Sequence, residues 1–376
     1  MTNPMGAHDT STTTQIERAG TRALAVRSSA LVARGLRDLA RDSNWLIKKV
    51  FTGRSQHLAI SPVGQVCAIS EHVHHGTAQV ALYDIELSVP TMTLAPPAGE
   101  VSNSPDAGVV FSWSPNARYL AGASGAWPAG LHLFDLQGKL YLGSIGASDL
   151  SATNLAWSDS GDFFAATSRG KRAALRVWEP RGGPPGGDAA RELATPDWLE
   201  PQQAGEEFAE EGSFGGYGKA IFSPNEEALA SVIEIKGEWA DDSIMVADVT
   251  KLSRRKVFEA RGHVTDLTWT PDSEQIIYCA AGQAYRLEPQ SVNSEPLPFG
   301  AELCVCHPHL PLCVCFSSWL KNSAKGRLFL MDLSRSTAFD EYPAEGVADL
   351  KWSADGSRAY AVTRDGMAYI YEPPLI

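Results

Sequence analysis

Residues 304–315 read CVCHPHLPLCVC and place four of the chain's six cysteines around two histidines. Thiolate and imidazole groups at such short spacing are ligands that zinc prefers in proteins. Two Cys-x-Cys pairs on neighbouring antiparallel strands would bring a tetrathiolate site within reach. Structural zinc, however, usually staples small domains through wider C-x₂₋₄-C spacing. The alternative is that the cysteines are small buried apolar side chains, and the surrounding elements must decide between the two.

Those surrounding elements form a unit that occurs seven times in the chain. Each unit has an apolar strand, a turn of the Ser-Pro-Asp-Gly kind and a second apolar strand. The seven are LAISPVGQVCAIS, FSWSPNARYLAGA, LAWSDSGDFFAAT, AIFSPNEEALASV, LTWTPDSEQIIYC, CVCHPHLPLCVCF and LKWSADGSRAYAV. Their spacing is close to the length of a four-stranded propeller blade, and such units bury their apolar faces by stacking on one another. The sequence therefore predicts an all-β fold, a seven-bladed β-propeller of four-stranded blades.

The repeat also predicts where the cysteines lie. Side chains alternate along a strand, so the second and fourth positions before each turn share one face. That face is apolar in the other six blades, and Cys304 and Cys306 occupy it in the sixth. Cys313 falls in an apolar column after the turn, and Cys315 in the column two residues further on. The alignment favours packing over zinc, so no metal and no cofactor are predicted.

A third strand follows each unit and ends in an acidic residue. These residues are Asp84, Asp135, Glu179, Asp248, Glu288, Asp332 and Glu372. They mark strand ends in the repeat and need no catalytic explanation. Only PPLI follows the last of them, so we expect the seventh blade to lack a fourth strand of its own. The stretch NWLIKKVFTG (44–53) resembles the fourth-strand stretch RRKVFEARGH (254–263), and we expect it to complete blade seven.

These repeats resemble the WD40 β-propeller family over about residues 44–376. Gly262-His263 matches the family's Gly-His signature, and Trp178-Glu179 is similar to its Trp-Asp ending. In blade seven Asp365 stands in a tight turn, but Tyr371 replaces the tryptophan of the family's hydrogen-bonded tetrad. The resemblance implies a non-catalytic scaffold that mediates protein–protein interactions.

The rest of the chain divides into three further segments. Residues 1–22 are predicted to be a disordered leader, and residues 23–42 an amphipathic basic helix. Residues 181–217 form an acidic insertion within the propeller, with eight Asp and Glu residues. The insertion is either a solvated linker or a segment that recruits a basic partner or shields the central channel.

The charge balance bears on partners and on localisation. The formal net charge is -12, of which residues 1–53 contribute +4 and the remainder -16. An acidic chain is unsuited to general nucleic-acid binding, so no nucleic-acid partner is expected. No apolar run is long enough to span a membrane, and the N-terminus lacks the apolar core of a secretory signal. The expected localisation is cytoplasmic, with an organelle transit peptide as the alternative interpretation of the Arg/Ser-rich N-terminus.

Candidate binding residues fall in connections between second and third strands, which share one face of a propeller. Trp127, Trp239 and Trp319 lie in these connections in blades two, four and six. Tryptophan is favoured at interface hot spots, so these residues predict a partner-binding face. The alternative is that each one packs its own loop onto the blade. The connection of blade one contributes His72, His74 and His75, either as part of that face, as metal ligands or as a solvated loop.

No catalytic signature is present in the sequence. It contains no P-loop, no G-x-S-x-G and no H-E-x-x-H. The first hypothesis is therefore a non-catalytic platform for one or more protein partners. The second is a hydrolase- or lactonase-like propeller enzyme with a metal or acidic site at the channel mouth. The third is a subunit of a larger complex, in which the basic N-terminal helix docks onto another component.

Overall fold

The structure is a computed structural model. It describes residues 45–51, 57–63, 66–73, 77–85, 87–95, 109–124, 131–145, 152–168, 175–180, 190–192, 214–235, 241–249, 253–291, 293–318 and 326–372. The predicted leader (1–22) and the predicted basic helix (23–42) lie outside these ranges. Regular structure within them is entirely β, and they include no helix long and apolar enough to cross a membrane.

The described strands form seven antiparallel sheets of four strands each. From the innermost strand outward, the first three sheets are β2 (Leu58–Ile60), β3 (Val66–Val73), β4 (Thr77–Asp84), β5 (Val89–Leu94); β6 (Val109–Trp113), β7 (Tyr119–Ser124), β8 (Leu131–Asp135), β9 (Leu140–Ile145); and β10 (Ala152–Trp157), β11 (Phe164–Ser168), β12 (Leu175–Pro180), β13 (Ala190–Glu192). The next two are β14 (Phe214–Phe222), β15 (Ala228–Ile235), β16 (Ser243–Asp248), β17 (Ser253–Glu259); and β18 (Val264–Trp269), β19 (Ile276–Ala280), β20 (Gln283–Glu288), β21 (Asn293–Pro296). The last two are β22 (Leu303–Cys306), β23 (Leu312–Ser317), β24 (Arg327–Asp332), β25 (Thr337–Pro343); and β26 (Val347–Trp352), β27 (Ala359–Thr363), β28 (Met367–Tyr371), β1 (Trp45–Lys49). The predicted seven-bladed propeller of four-stranded blades is confirmed.

The seventh sheet combines the two ends of the described chain. Strand β1 pairs antiparallel with β28, and the register joins Trp45 to Tyr371 and Lys49 to Met367. The Trp45 ring is buried, and its centroid lies 5.1 Å from that of Tyr371. Trp45, the first residue of β1, thus packs against Tyr371 of β28.

Two strands fall within the predicted insertion at 181–217. Residues 190–192 form β13, the outermost strand of the third blade, and β14 of the fourth blade begins at Phe214. The remaining residues of the insertion lie outside the described part of the chain.

The turns that end the innermost strands are closed by side-chain hydroxyls. The Ser114 hydroxyl accepts the Tyr119 amide N–H at 2.8 Å and donates to the Asn116 carboxamide oxygen at 2.7 Å. Equivalent pairs of bonds close the turns at Ser223, Thr270 and Ser353. Serine and threonine make such turns because their oxygens satisfy backbone donors that the reversing chain leaves unpaired. This explains why the Ser/Thr-x-Asn/Asp pattern recurs at each of these turns.

The core lies between blades. Apolar side chains of one sheet pack against those of the next in separate clusters around the ring. Because each blade buries its faces against two neighbours, the innermost strands meet around a central channel, and their remaining side chains define its wall.

Candidate functional site

Tryptophan side chains tie neighbouring innermost strands together around the channel. In four blades the residue two positions before the turn is a tryptophan whose indole N–H donates to a backbone carbonyl of the preceding blade. The four bonds join Trp113 to Ala59 at 3.1 Å, Trp157 to Ser112 at 3.1 Å, Trp269 to Ile221 at 3.4 Å and Trp352 to Val305 at 3.2 Å. These tryptophans therefore act as structural links between blades.

Polar side chains five positions before the turn make a second set of links, directed to the following blade. The Asn154 carboxamide oxygen accepts the Ala220 N–H at 3.0 Å, and Asp266 Oδ2 accepts the Cys304 N–H at 2.8 Å. Asp349 Oδ2 accepts the Ile60 N–H at 3.2 Å, which joins blade seven to blade one. Each bond satisfies an inner-strand donor that would otherwise face the channel unpaired.

The channel encloses a cavity of about 820 Å³ whose wall carries charged side chains. Lys219 of β14 forms an ion pair with Asp266 of β18. The Lys219 side chain is 38% exposed, and because it lines the cavity this surface opens onto the channel. Burial would lower the pKa of Lys219, but the charge of Asp266 and the hydrogen bond to it outweigh this and hold the pKa above its usual value.

Two further charged residues lie on β26, at Asp349 and Lys351. Burial raises the pKa of Asp349 to about 6, although the Ile60 N–H and the nearby lysines favour its charged form. Burial also lowers the pKa of Lys351, which Asp349 and Asp159 partly counteract. The Lys351 side chain is exposed, and the surface it exposes faces the cavity inside the channel. Titratable groups shifted in this way inside a cavity are typical of functional sites.

One mouth of the channel is formed by the turns between first and second strands. Asp159 lies there, and burial raises the pKa of its carboxyl group while Lys351 partly lowers it. His307 lies in the equivalent turn of blade six, where its Nδ1 accepts the N–H groups of His309 and Leu310 at 2.9 and 3.0 Å. The His307 Nε2 lies 3.1 Å from the Gly356 carbonyl oxygen of blade seven, so a neutral ring with its proton on Nε2 satisfies all three contacts. Burial lowers the pKa of His307 to about 4, so the ring is neutral at pH 7.

The cysteines of the 304–315 stretch lie in the apolar cluster between blades five and six. Cys304, Cys306, Cys313 and Cys315 are buried there as free thiols, together with Cys279 of β19. Burial raises the pKa of Cys313 and Cys315 well above the usual value, which keeps both protonated. Among the described residues, no three His, Cys, Asp or Glu side chains are arranged to hold a metal ion. The burial of these four cysteines in an apolar cluster matches the hypothesis that they pack as small apolar side chains.

The predicted partner-binding residues fall mostly in connections that the structure does not describe. Trp127, Trp239, Trp319, His74 and His75 lie outside the described residues. His72 belongs to β3, where its backbone pairs with Ala78. The strands that flank these connections are described, and in every blade they are the second and third strands. The described strand ends that flank the four connections therefore lie on the same face of the ring.

The sequence interpretation overlooked the charged residues of the channel. The signal was present as a short repeat: Asn154-Leu155-Ala156-Trp157 is followed by Asp-Leu-Thr-Trp at 266–269 and Asp-Leu-Lys-Trp at 349–352. The Asn or Asp of each repeat is the residue that bonds to the next blade.

Comparisons with known proteins agree on the architecture. No protein-family model matches the chain, and no curated protein matches it. A chain of the hydrazine synthase of Kuenenia stuttgartiensis is 14% identical, with a TM-score of 0.62 over 88% of this chain and 98% of that chain. A chain of a mitotic checkpoint complex is 13% identical, with a TM-score of 0.62 over 89% of this chain and 94% of that chain. The Cps50 (Swd1) β-propeller domain of Myceliophteria thermophila is 12% identical, with a TM-score of 0.57 over 87% of this chain and 99% of that chain. At these identities the likeness shows the fold alone.

Proposed function

We propose that this chain is a non-catalytic, WD40-like β-propeller scaffold that binds protein partners. The observation that supports the proposal is the strand order of alternate blades. The sequence carries Trp127, Trp239 and Trp319 between the described second and third strands of blades two, four and six. A rigid ring that presents large aromatic side chains from one face offers the anchors on which protein interfaces depend.

The similar structures support a role in assemblies. One of them is a component of a mitotic checkpoint complex, and another is the propeller domain of Cps50 (Swd1). We extend the proposal to the termini: β1 closes the ring, and the basic helix at 23–42 contacts another component of the same assembly. The acidic insertion at 181–217 and the histidines of blade one border the partner-binding face. We place the protein in the cytoplasm.

The test is affinity capture of the full chain from lysate of its own cells. The test variant is Trp127→Ala, Trp239→Ala, Trp319→Ala. The matched control is Leu87→Ala, Leu140→Ala, which removes exposed apolar side chains (70% and 48% exposed) from the outer parts of blades one and two. We expect a protein partner with the wild type and the control but not with the triple variant, at unchanged circular dichroism. Capture of the same partner by all three chains contradicts the proposed face.

The competing function is a propeller enzyme with an acidic site in the channel. The observation in its favour is the raised pKa of Asp349, about 6, which suits a group that exchanges protons near neutral pH. A hydrazine synthase chain also shares the fold. Stoichiometric calcium or zinc in the purified protein, or turnover of a lactone or glycoside substrate that Asp349→Asn abolishes, would favour this function over the scaffold.

A further inference from the structure

Three charged side chains that line the channel make no ion pair with any described residue, although the charges of Asp349 and Asp159 act on the pKa of Lys351. Lys351 makes no ion pair and no hydrogen bond there, and neither does the carboxylate of Asp159. Asp349 accepts one bond, from the Ile60 N–H, through Oδ2. All three line the same cavity of about 820 Å³, a volume typical of small-molecule sites.

The strand geometry fixes how two of these charges are arranged. Asp349 and Lys351 are two residues apart on β26, so their side chains leave the same face of the strand. Their Cα atoms are about 7 Å apart at the usual rise of a strand. The structure contains no ion pair between them. A cation and an anion are therefore presented from the same face of one strand, and both line the cavity.

The neighbouring titratable groups are already engaged. Lys219 and Asp266 pair with each other, and Asp266 also accepts the Cys304 N–H. The two ring nitrogens of His307 contact backbone groups of its own turn and of Gly356. The charges that remain for a ligand are one ammonium group and two carboxylates.

We propose that the channel binds a small zwitterion, a free α-amino acid, whose carboxylate pairs with Lys351 and whose ammonium group pairs with Asp349 or Asp159. A simple anion at Lys351 would lie close to both carboxylates, and a simple cation would lie close to Lys351. A zwitterion complements both signs at once, because its ammonium and carboxylate groups are attached to the same carbon atom.

This site goes beyond the proposed scaffold function and is separate from its face. Asp159 lies in a turn between first and second strands, and Lys351 lies three residues before the equivalent turn of blade seven. The predicted partner-binding connections join second and third strands and so belong to the opposite face. Failure of either proposal leaves the other standing.

The experiment measures binding of amino acids to the purified full chain by calorimetry and by thermal shift. The probes are the twenty L-amino acids at up to about 10 mM, which detects the weak end of specific binding. Acetate and methylamine, each with one of the two charges, are the control ligands. We expect at least one amino acid to bind and to raise the melting temperature, and neither control ligand to match it.

Variants assign the contact. Lys351→Met should weaken binding by roughly tenfold or more, the effect of losing one charge-assisted hydrogen bond. Asp349→Asn or Asp159→Asn, whichever removes the carboxylate that pairs with the ammonium group, should weaken it by a similar factor. The matched control Lys256→Met removes a lysine whose ammonium group contacts the Gln290 carbonyl outside the cavity, and it should bind as the wild type does. Brief acetylation of the wild-type protein measures access to the Lys351 amine without any amino-acid substitution. The Lys351 amine should be acetylated, and the bound amino acid should lower its acetylation relative to that of Lys256, because reagent consumed by the free amino acid lowers both alike.

Three results overturn the proposal. The first is the absence of binding by every amino acid tested. The second is binding that Lys351→Met leaves unchanged or that neither Asp349→Asn nor Asp159→Asn weakens, or acetylation of Lys351 that the ligand does not reduce relative to that of Lys256. The third is equally tight binding of acetate or methylamine, which would show that a single charge suffices.

Discussion

Replacement of Gly356 by alanine tests the contact between blades six and seven at the channel mouth. Gly356 has φ +70°, and a Cβ atom there would lie 2.4 Å from both Cε1 and Nε2 of His307. The ring cannot stay in place at that distance. Its displacement would break the Nε2 contact with the Gly356 carbonyl and the two bonds that Nδ1 accepts. It would also disturb the edge-on packing of the ring against Trp352, whose centroid is 4.6 Å away.

Gly161 is the matched control, because it occupies the same turn position in blade three. Its φ is +79°, and a Cβ atom there would meet only Pro115 Cδ, at an ordinary 3.6 Å. Gly161→Ala therefore measures the left-handed backbone strain alone, about 1–2 kcal/mol. Gly356→Ala adds the loss of three hydrogen bonds at about 1 kcal/mol each and of aromatic packing at about 1 kcal/mol, for a total of about 5–6 kcal/mol.

The assay is urea denaturation, followed by tryptophan fluorescence and by circular dichroism so that coincident transitions establish two-state unfolding. We also expect the double variant His307→Ala, Gly356→Ala to be more stable than the sum of the single variants predicts, by at least about 1 kcal/mol. The reasoning is refuted if Gly356→Ala costs no more than Gly161→Ala, or if the double variant is additive.

Three further predictions concern the same ring of contacts. Because burial lowers the pKa of His307 from 6.5 to about 4, stability should be full above pH 6.5 and fall as the pH drops toward 4. The total loss is about 3 kcal/mol, and an unchanged pH dependence of the urea midpoint in His307→Gln would contradict it. Trp157→Phe removes the indole donor to the Ser112 carbonyl, 3.1 Å away. It should lower the free energy of unfolding by about 1–2 kcal/mol, and an unchanged urea midpoint would count against this hydrogen bond as a link between blades. The six cysteines are buried free thiols, so a thiol reagent such as DTNB should label them slowly in the native protein and completely in denaturant, and rapid native labelling would contradict their burial.

The fold could be predicted from the sequence because each blade repeats the same turn residues and the same alternation of side chains. Serine or threonine at the turn, as at Ser114 and Ser353, closes it through a hydroxyl, and alternation assigns the flanking side chains to faces. Both effects act between residues about six or fewer apart, so they are recognisable in the sequence as a local pattern. The position of Cys304 and Cys306 between blades follows from the same alternation.

The arrangement of the charged residues in the channel could not be predicted from the repeat, because it depends on contacts between blades. The sequence alone shows an acidic residue at Asp349 and a lysine at Lys219, in different blades. Only the packing of blade seven against blade one makes Asp349 accept a bond from Ile60, 289 residues away. Which charges pair, as Lys219 and Asp266 do, and which stay unpaired, as Lys351 does, depends on the distances between blades.

His307 illustrates a second limit. In the alignment it occupies the column of the turn serines, which suggests a polar turn residue. Its ring also reaches the next blade and fills the space above Gly356, where a side chain would collide with it. The sequence shows a glycine and a histidine 49 residues apart, and only the packing of blade six on blade seven makes them partners.

Hydrogen–deuterium exchange on the captured complex tests whether one face of the ring binds the protein partner. We expect the partner to slow exchange in peptides that cover 125–130, 236–240 and 319–325, the connections that carry Trp127, Trp239 and Trp319. Slowed exchange confined to the first-to-second-strand turns on the opposite face, around Asp159 and Gly356, would contradict it.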